Sequence, residues 1–125
     1  MAVEGRDHAA DVADVADVMA AMRADADDLA AAEALSRWAL AITDDLPGGD
    51  ELVDRLRVLS MWRLARVLRR RGSHTEAEAR LYGALVLARE AFGLEDSDAV
   101  AIARELVVLD AYLGHERPPA PPGAC

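Results

Sequence analysis

Residues 61–84 read MWRLARVLRRRGSHTEAEARLYGA. Met61, Leu64, Ala65 and Leu68 share one side of a helix, and Ala77, Leu81 and Ala84 share one side of a second. Gly72 lies between them, where a helix end favours a residue with no side chain. The spacing predicts two helices folded back on each other about Gly72. Small residues at Ala65, Ala77 and Ala84 let their backbones approach closely.

Working outward, the composition points to helix throughout. In 125 residues, 53% are hydrophobic and only 4% aromatic. Alanine and leucine, both strong helix formers, are abundant. The length predicts one domain with a real core. Lys, Asn and Gln do not occur, which matches a high-GC coding bias. The net charge of −9 is unevenly spread. Residues 1–50 carry −9, residues 51–72 carry +5, and residues 73–125 carry −5. Overall acidity argues against nonspecific nucleic-acid binding, with the central segment as a local exception. The single cysteine, Cys125, excludes an internal disulfide framework. No secretory leader and no apolar run of about 20 residues is present, so the expected setting is soluble and cytoplasmic, away from membranes.

Five helices are predicted. Residues 1–8 are expected to be frayed and flexible, and the helical domain to span residues 9–114. The first helix, Ala9 to about Arg23, repeats Ala-Asp-Val three times. Val12, Val15, Met19 and Met22 are expected to form its packed side, and the Asp residues its wet side. The second runs from about Asp28 to Thr43, on a stripe of Ala32, Leu35, Ser36, Ala39 and Ile42, and Pro47-Gly48-Gly49-Asp50 separates it from the third. The third, about Asp50 to Arg71, has Val53, Leu56, Ser60, Leu64 and Leu68 on one side. Leu52, Leu59 and Val67 lie near another, so it is expected to have neighbours on both. Ser73 with Glu76, or Thr75 with Glu78, gives a capping-box signature for the fourth, which runs to about Ala91. Asp96 or Ser97 caps the fifth, which carries Val100, Ile102, Leu106, Val107, Leu109 and Leu113 and ends at Gly114. Residues 115–125, HERPPAPPGAC, are expected to be an extended, proline-rich tail.

Segments recur. AEALSRWALAITDDLPG (32–48) aligns with AEARLYGALVLAREAFG (77–93) at an offset of 45, whereas Gly72 and Gly114 are 42 apart. Leu64 therefore aligns with Leu109 in one register and with Leu106 in the other. A helix pair repeating every forty-odd residues signals a helical solenoid.

The segment Leu64-Ala65-x-x-Leu68, then Gly72, Ala77, Leu81 and Ala84-Leu85, resembles the tetratricopeptide repeat. The following Phe92-Gly93-Leu94-Glu95-Asp96-Ser97-Asp98-Ala99-Val100 is similar to the linker of the kinesin-light-chain-like variety, with about 42 residues per repeat instead of ~34. The resemblance covers residues 10–114 and implies a short α-solenoid of two and a half repeats. Asp27 stands where the first repeat would have its helix-breaking Gly, and Pro118-Pro119 fall where a sixth helix would begin. Arrays usually need about three repeats, so a dimer contact, a partner or a polar capping helix is expected to complete this one.

In that family the first helix of each pair lines a groove. Carried onto the middle repeat, the resemblance implies a partner-binding set of Leu59, Trp62, Arg66, Arg69 and Arg70. Trp62 would be an apolar anchor, and the Arg residues would grip carboxylates of an acidic or C-terminal peptide. The competing expectation is that these Arg residues pair with the chain's own acidic helices. Trp38 and Tyr82 are expected to pack in the core or between repeats. His8, His74 and His115 show no ligand spacing, and His74 is expected to pack in the hairpin. No catalytic, metal or phosphate-binding motif is present, so no cofactor is expected. The expected function is a non-catalytic protein-binding module. The alternatives are a self-associating adaptor, such as a homodimer, and a carrier modified at Cys125.

Overall fold

A computed structural model describes residues 2–116, with side chains for residues 8–114. It is all-α: α1 (Ala2–Asp25), α2 (Leu29–Asp44), α3 (Glu51–Arg70), α4 (His74–Phe92) and α5 (Ser97–Glu116). Each helix packs antiparallel on the next, α1 also touches α3, and no strand occurs among the described residues. No described helix is long and apolar enough to cross a membrane.

Local chemistry sets the boundaries. Asp50 accepts from the Leu52 and Val53 amides at 2.9 and 3.3 Å, capping α3. Glu51 and Asp54 follow at its positive end, and Arg69 and Arg70 stand at its negative end. At Gly72 (φ 85°) the Ser73 amide donates to the Leu68 carbonyl at 2.9 Å and the Gly72 amide to that of Arg69 at 3.1 Å. This Schellman pattern turns the chain from α3 into α4. It recurs at the end of α1, where the Asp28 amide donates to Arg23 at 2.8 Å and the Asp27 amide to Ala24 at 3.0 Å. Asp27, at φ 62°, is the one non-glycine described residue with positive φ. It occupies the same structural position as Gly72. Asp96 caps α5 through the Asp98 and Ala99 amides.

The core follows the hairpin read from residues 61–84. Leu64, Ala65 and Leu68 are buried with Ala77, Leu81 and Ala84, and Leu40, Val58, Leu85, Ile102, Leu109 and Leu113 extend that cluster. Gly83 faces the tip of Met61 so closely that a Cβ there would lie 2.6 Å from it, which marks the near approach of α3 and α4.

Several expectations are corrected. α1 begins at Ala2, not Ala9, and buries Ala10, Ala13, Ala16, Asp17 and Ala20. Its Val15, Met19 and Met22 face outward, the reverse of the expected orientation. The triplet text carries an alanine stripe and a valine/methionine stripe, and the close crossing with α2 admits only the smaller one. Trp38 and Tyr82 are exposed (52% and 62%), as are Leu52 and Val107, because no described element covers those sides of their helices. Ser73 makes no side-chain cap bond to α4. α5 continues through Gly114 to Glu116. Residues 117–125, which include most of the expected tail and Cys125, lie outside the described residues.

α1 and α3 end in the same kind of turn at Asp27 and Gly72, and Asp50 and Asp96 cap α3 and α5, so the three helices can be aligned on these residues. Val53, Leu56, Ser60 and Val67 then match Ala99, Ile102, Leu106 and Leu113, all buried. This cap-to-cap alignment has an offset of 46, against the 45 and 42 read from the sequence. Leu64→Ala is expected to destabilise the protein by about 2–5 kcal/mol through a cavity. Met22→Ala is expected to change it by less than about 0.5 kcal/mol, because Met22 is already in solvent. Urea denaturation of both variants checks the inverted orientation of α1.

Candidate functional site

The seven Arg residues between positions 51 and 72 all lie on α3 or its C-cap. Near its start, Arg55 donates to Asp96 and Asp98 at 2.9 Å each and stacks over the Phe92 ring at 3.6 Å. The Arg55 hydrogen bond holds the Asp96 carboxyl below its ordinary range. Arg57 donates to the Leu46 carbonyl at 2.8 Å and to that of Thr43, holding the end of α2. Arg71 reaches Glu33 at 3.0 Å. Arg37, on α2, bridges Glu33 and Glu76, and this pairing lowers the Glu76 carboxyl. Arg55, Arg57 and Arg71 therefore fasten neighbouring helices and turns.

The predicted set divides between two sides of α3. Trp62 donates its indole N–H to Glu105 of α5. Arg66 pairs with the same carboxylate at 2.9 Å and lies 4.6 Å from the Trp62 ring centroid. Arg70 turns towards α1, donating to the Ala24 carbonyl at 2.9 Å and to Asp27 at 3.2 Å. Leu59 is half-buried, and Arg69 is exposed with no polar partner among the described residues.

Arg66 and Arg70 meet again at a cleft of about 270 Å³ between α1, α2 and α3. Arg63 joins them, Ala20, Ala21, Ala24 and Val67 supply an apolar lining, and Asp25 of α1 also borders it. Ser36 also lines the cleft; its hydroxyl is buried and makes no hydrogen bond among the described residues. Neither Arg63 nor Ser36 belonged to the partner-binding set read from the sequence, where Ser36 was placed in the packed stripe of α2. Arg63, Arg66 and Arg70 sit at intervals of three and four, so their common side was visible in the sequence. The part played by Ser36 was not, since it depends on how α2 meets α1 and α3.

One turn before Ala20 and Ala21, Asp17 is buried between α1 and α3. Ser60 donates to its Oδ2 at 2.7 Å, Arg63 lies 3.7 Å from that oxygen, and Oδ1 has no partner among the described residues. Burial raises its pKa more than Ser60 and Arg63 lower it. Elsewhere, His74 lies 4.8 Å from the Tyr112 ring and His8 is exposed. The side chain of His115 is outside the described residues.

A carboxyl whose pKa is higher in the folded state makes the fold bind protons more tightly than the unfolded chain. Asp17 therefore opposes folding above its raised pKa, and this penalty fades as pH falls towards its ordinary value of 3.8. Asp17→Asn is expected to raise the melting temperature at pH 7, by a margin that shrinks as pH is lowered to about 4. Thermal melts of both proteins across that range provide the check.

No family model, no curated protein and no solved structure matches this sequence.

Proposed function

We propose that the protein is a non-catalytic binding module that takes an acidic side chain or a C-terminal carboxylate of a partner peptide into the Arg63/Arg66/Arg70 cleft. The observation that carries this reading is the convergence of three guanidiniums, against the single carboxylate of Asp25, on one largely alanine-lined cleft. Guanidinium forks match carboxylate geometry, and the alanines leave room for the chain carrying it. The three Arg residues have internal partners, but Arg66 and Arg70 keep about half their surface in water (57% and 48%). Such exposed pairs contribute about 0–1 kcal/mol each, little enough to be exchanged for a ligand.

The tetratricopeptide reading belongs with this proposal. It is supported by the antiparallel order and by the shared Schellman turns at Asp27 and Gly72. In it, α1, α3 and α5 are the first helices of successive pairs and line the groove, and the cleft lies where α1 meets α3. Glu105 then acts as an internal competitor, holding Arg66 and Trp62 as an acidic ligand would.

A fluorescent hexaglutamate peptide tests the proposal, with hexaglutamine as the neutral control. Arg63/Arg66/Arg70→Ala is expected to weaken hexaglutamate binding at least about tenfold. Glu105→Ala, which releases Arg66, is expected to tighten it. Equal affinity of the triple variant and wild type at moderate salt would reject the cleft.

A further inference from the structure

α3 is covered on two sides, and the flanking first helices each lack one of those covers. In the alignment of Asp27 with Gly72, α1 residues Val15, Met19 and Met22 take the places of Ser60, Leu64 and Val67. In α3 these three are buried: Ser60 bonds Asp17 of α1, Val67 lines the cleft with Ser36 of α2, and Leu64 lies in the central cluster that includes Leu40 of α2 as well as the core residues of α4. In α1 the same places are exposed, Val15 at 57%. In the alignment of Asp50 with Asp96, α5 residues Arg104, Val107 and Ala111 take the places of Val58, Met61 and Ala65. In α3 these cluster with the core residues of α4, and Met61 touches Gly83. In α5 all three are exposed, Val107 at 67%. The two open faces are thus the two opposite faces that a middle helix buries.

We infer that these faces dock on each other between two copies of the chain, α1 of one against α5 of the next, head to tail. Charge selects this pairing over either face with itself. The α5 face is an apolar hollow of about 480 Å³ lined by Leu94, Val100, Ala103, Val107 and Val108 and flanked by Arg89 and Arg104. Neither Arg has an ion-pair partner among the described residues. The α1 face is apolar through Val12, Val15 and Met19, with Trp38 of α2 beside them. It is edged by the exposed Asp11 and Asp14, each one helical turn before an outward valine, and it belongs to the segment of net charge −9. Acidic edge meets basic flank, and apolar stripe meets apolar hollow. Paired with itself, either face would bring like charges together. Both surfaces are separate from the Arg63/Arg66/Arg70 cleft, so this assembly stands independently of peptide binding.

A contact between unlike faces leaves each copy with one face free, so assembly continues unless the array closes into a ring. Sedimentation and light scattering of the full chain at concentrations up to about 1 mM test it. Wild type is expected to exceed the 13.4 kDa monomer mass as concentration rises. Val15→Glu and Val107→Glu, both at exposed helical positions, are expected to keep wild-type circular dichroism. Each is expected to weaken self-association about 30-fold or more. Mixed in equal amounts, they retain one intact α1 face and one intact α5 face, so they are expected to form a one-to-one pair and nothing larger. A wild type that stays monomeric would overturn the inference, as would a single variant that assembles like wild type, or a mixture that does not pair.

Discussion

The close crossing of α3 and α4 is the contact on which the other elements depend. Leu64, Ala65 and Leu68 meet Ala77, Leu81 and Ala84 with so little backbone separation that Met61 lies over the bare Cα of Gly83. That crossing leaves the Arg-bearing sides of α3 to its other neighbours. One side meets Glu105 of α5, and another meets Ala24 and Asp27 at the end of α1. The apolar packing supplies the stability, since partly exposed ion pairs contribute little individually. The ion pairs choose which acid each Arg faces, and so how the helices are registered.

A single helix thereby serves two purposes. Arg55, Arg57 and Arg71 secure the turns and neighbouring helix ends. Arg63, Arg66 and Arg70, spaced to share a side, border the cleft that we propose for a carboxylate. Asp17 shows what such density of charge costs inside the molecule. It is buried with one oxygen unpartnered among the described residues, and that burial raises its pKa.

Helical periodicity located all five elements, and turn chemistry placed their ends to within a few residues except at the start of α1 and the end of α5. The central hairpin was legible because Leu64 and Leu68 stand one helical turn apart before Gly72 and Ala77, Leu81 and Ala84 share a helical side after it. α1 was legible as a helix but not in its orientation. Its Ala-Asp-Val text offers two stripes, and hydrophobicity alone favours the larger side chains. The cleft was half legible: Arg66 and Arg70 stood out, whereas Ser36 gains its place only when three helices converge.

The sequence by itself determined which residues are helical, where the chain turns, and that α3 concentrates the positive charge. Those properties rest on interactions within one turn of helix or across one loop. Only the tertiary structure decided that alanines and not valines of α1 face inward, that Glu105 holds Trp62 and Arg66, and that α1 and α5 each present an uncovered apolar face. These depend on how near two helix axes come and on which neighbour is absent. Neither quantity is written in the spacing of residues along a single helix.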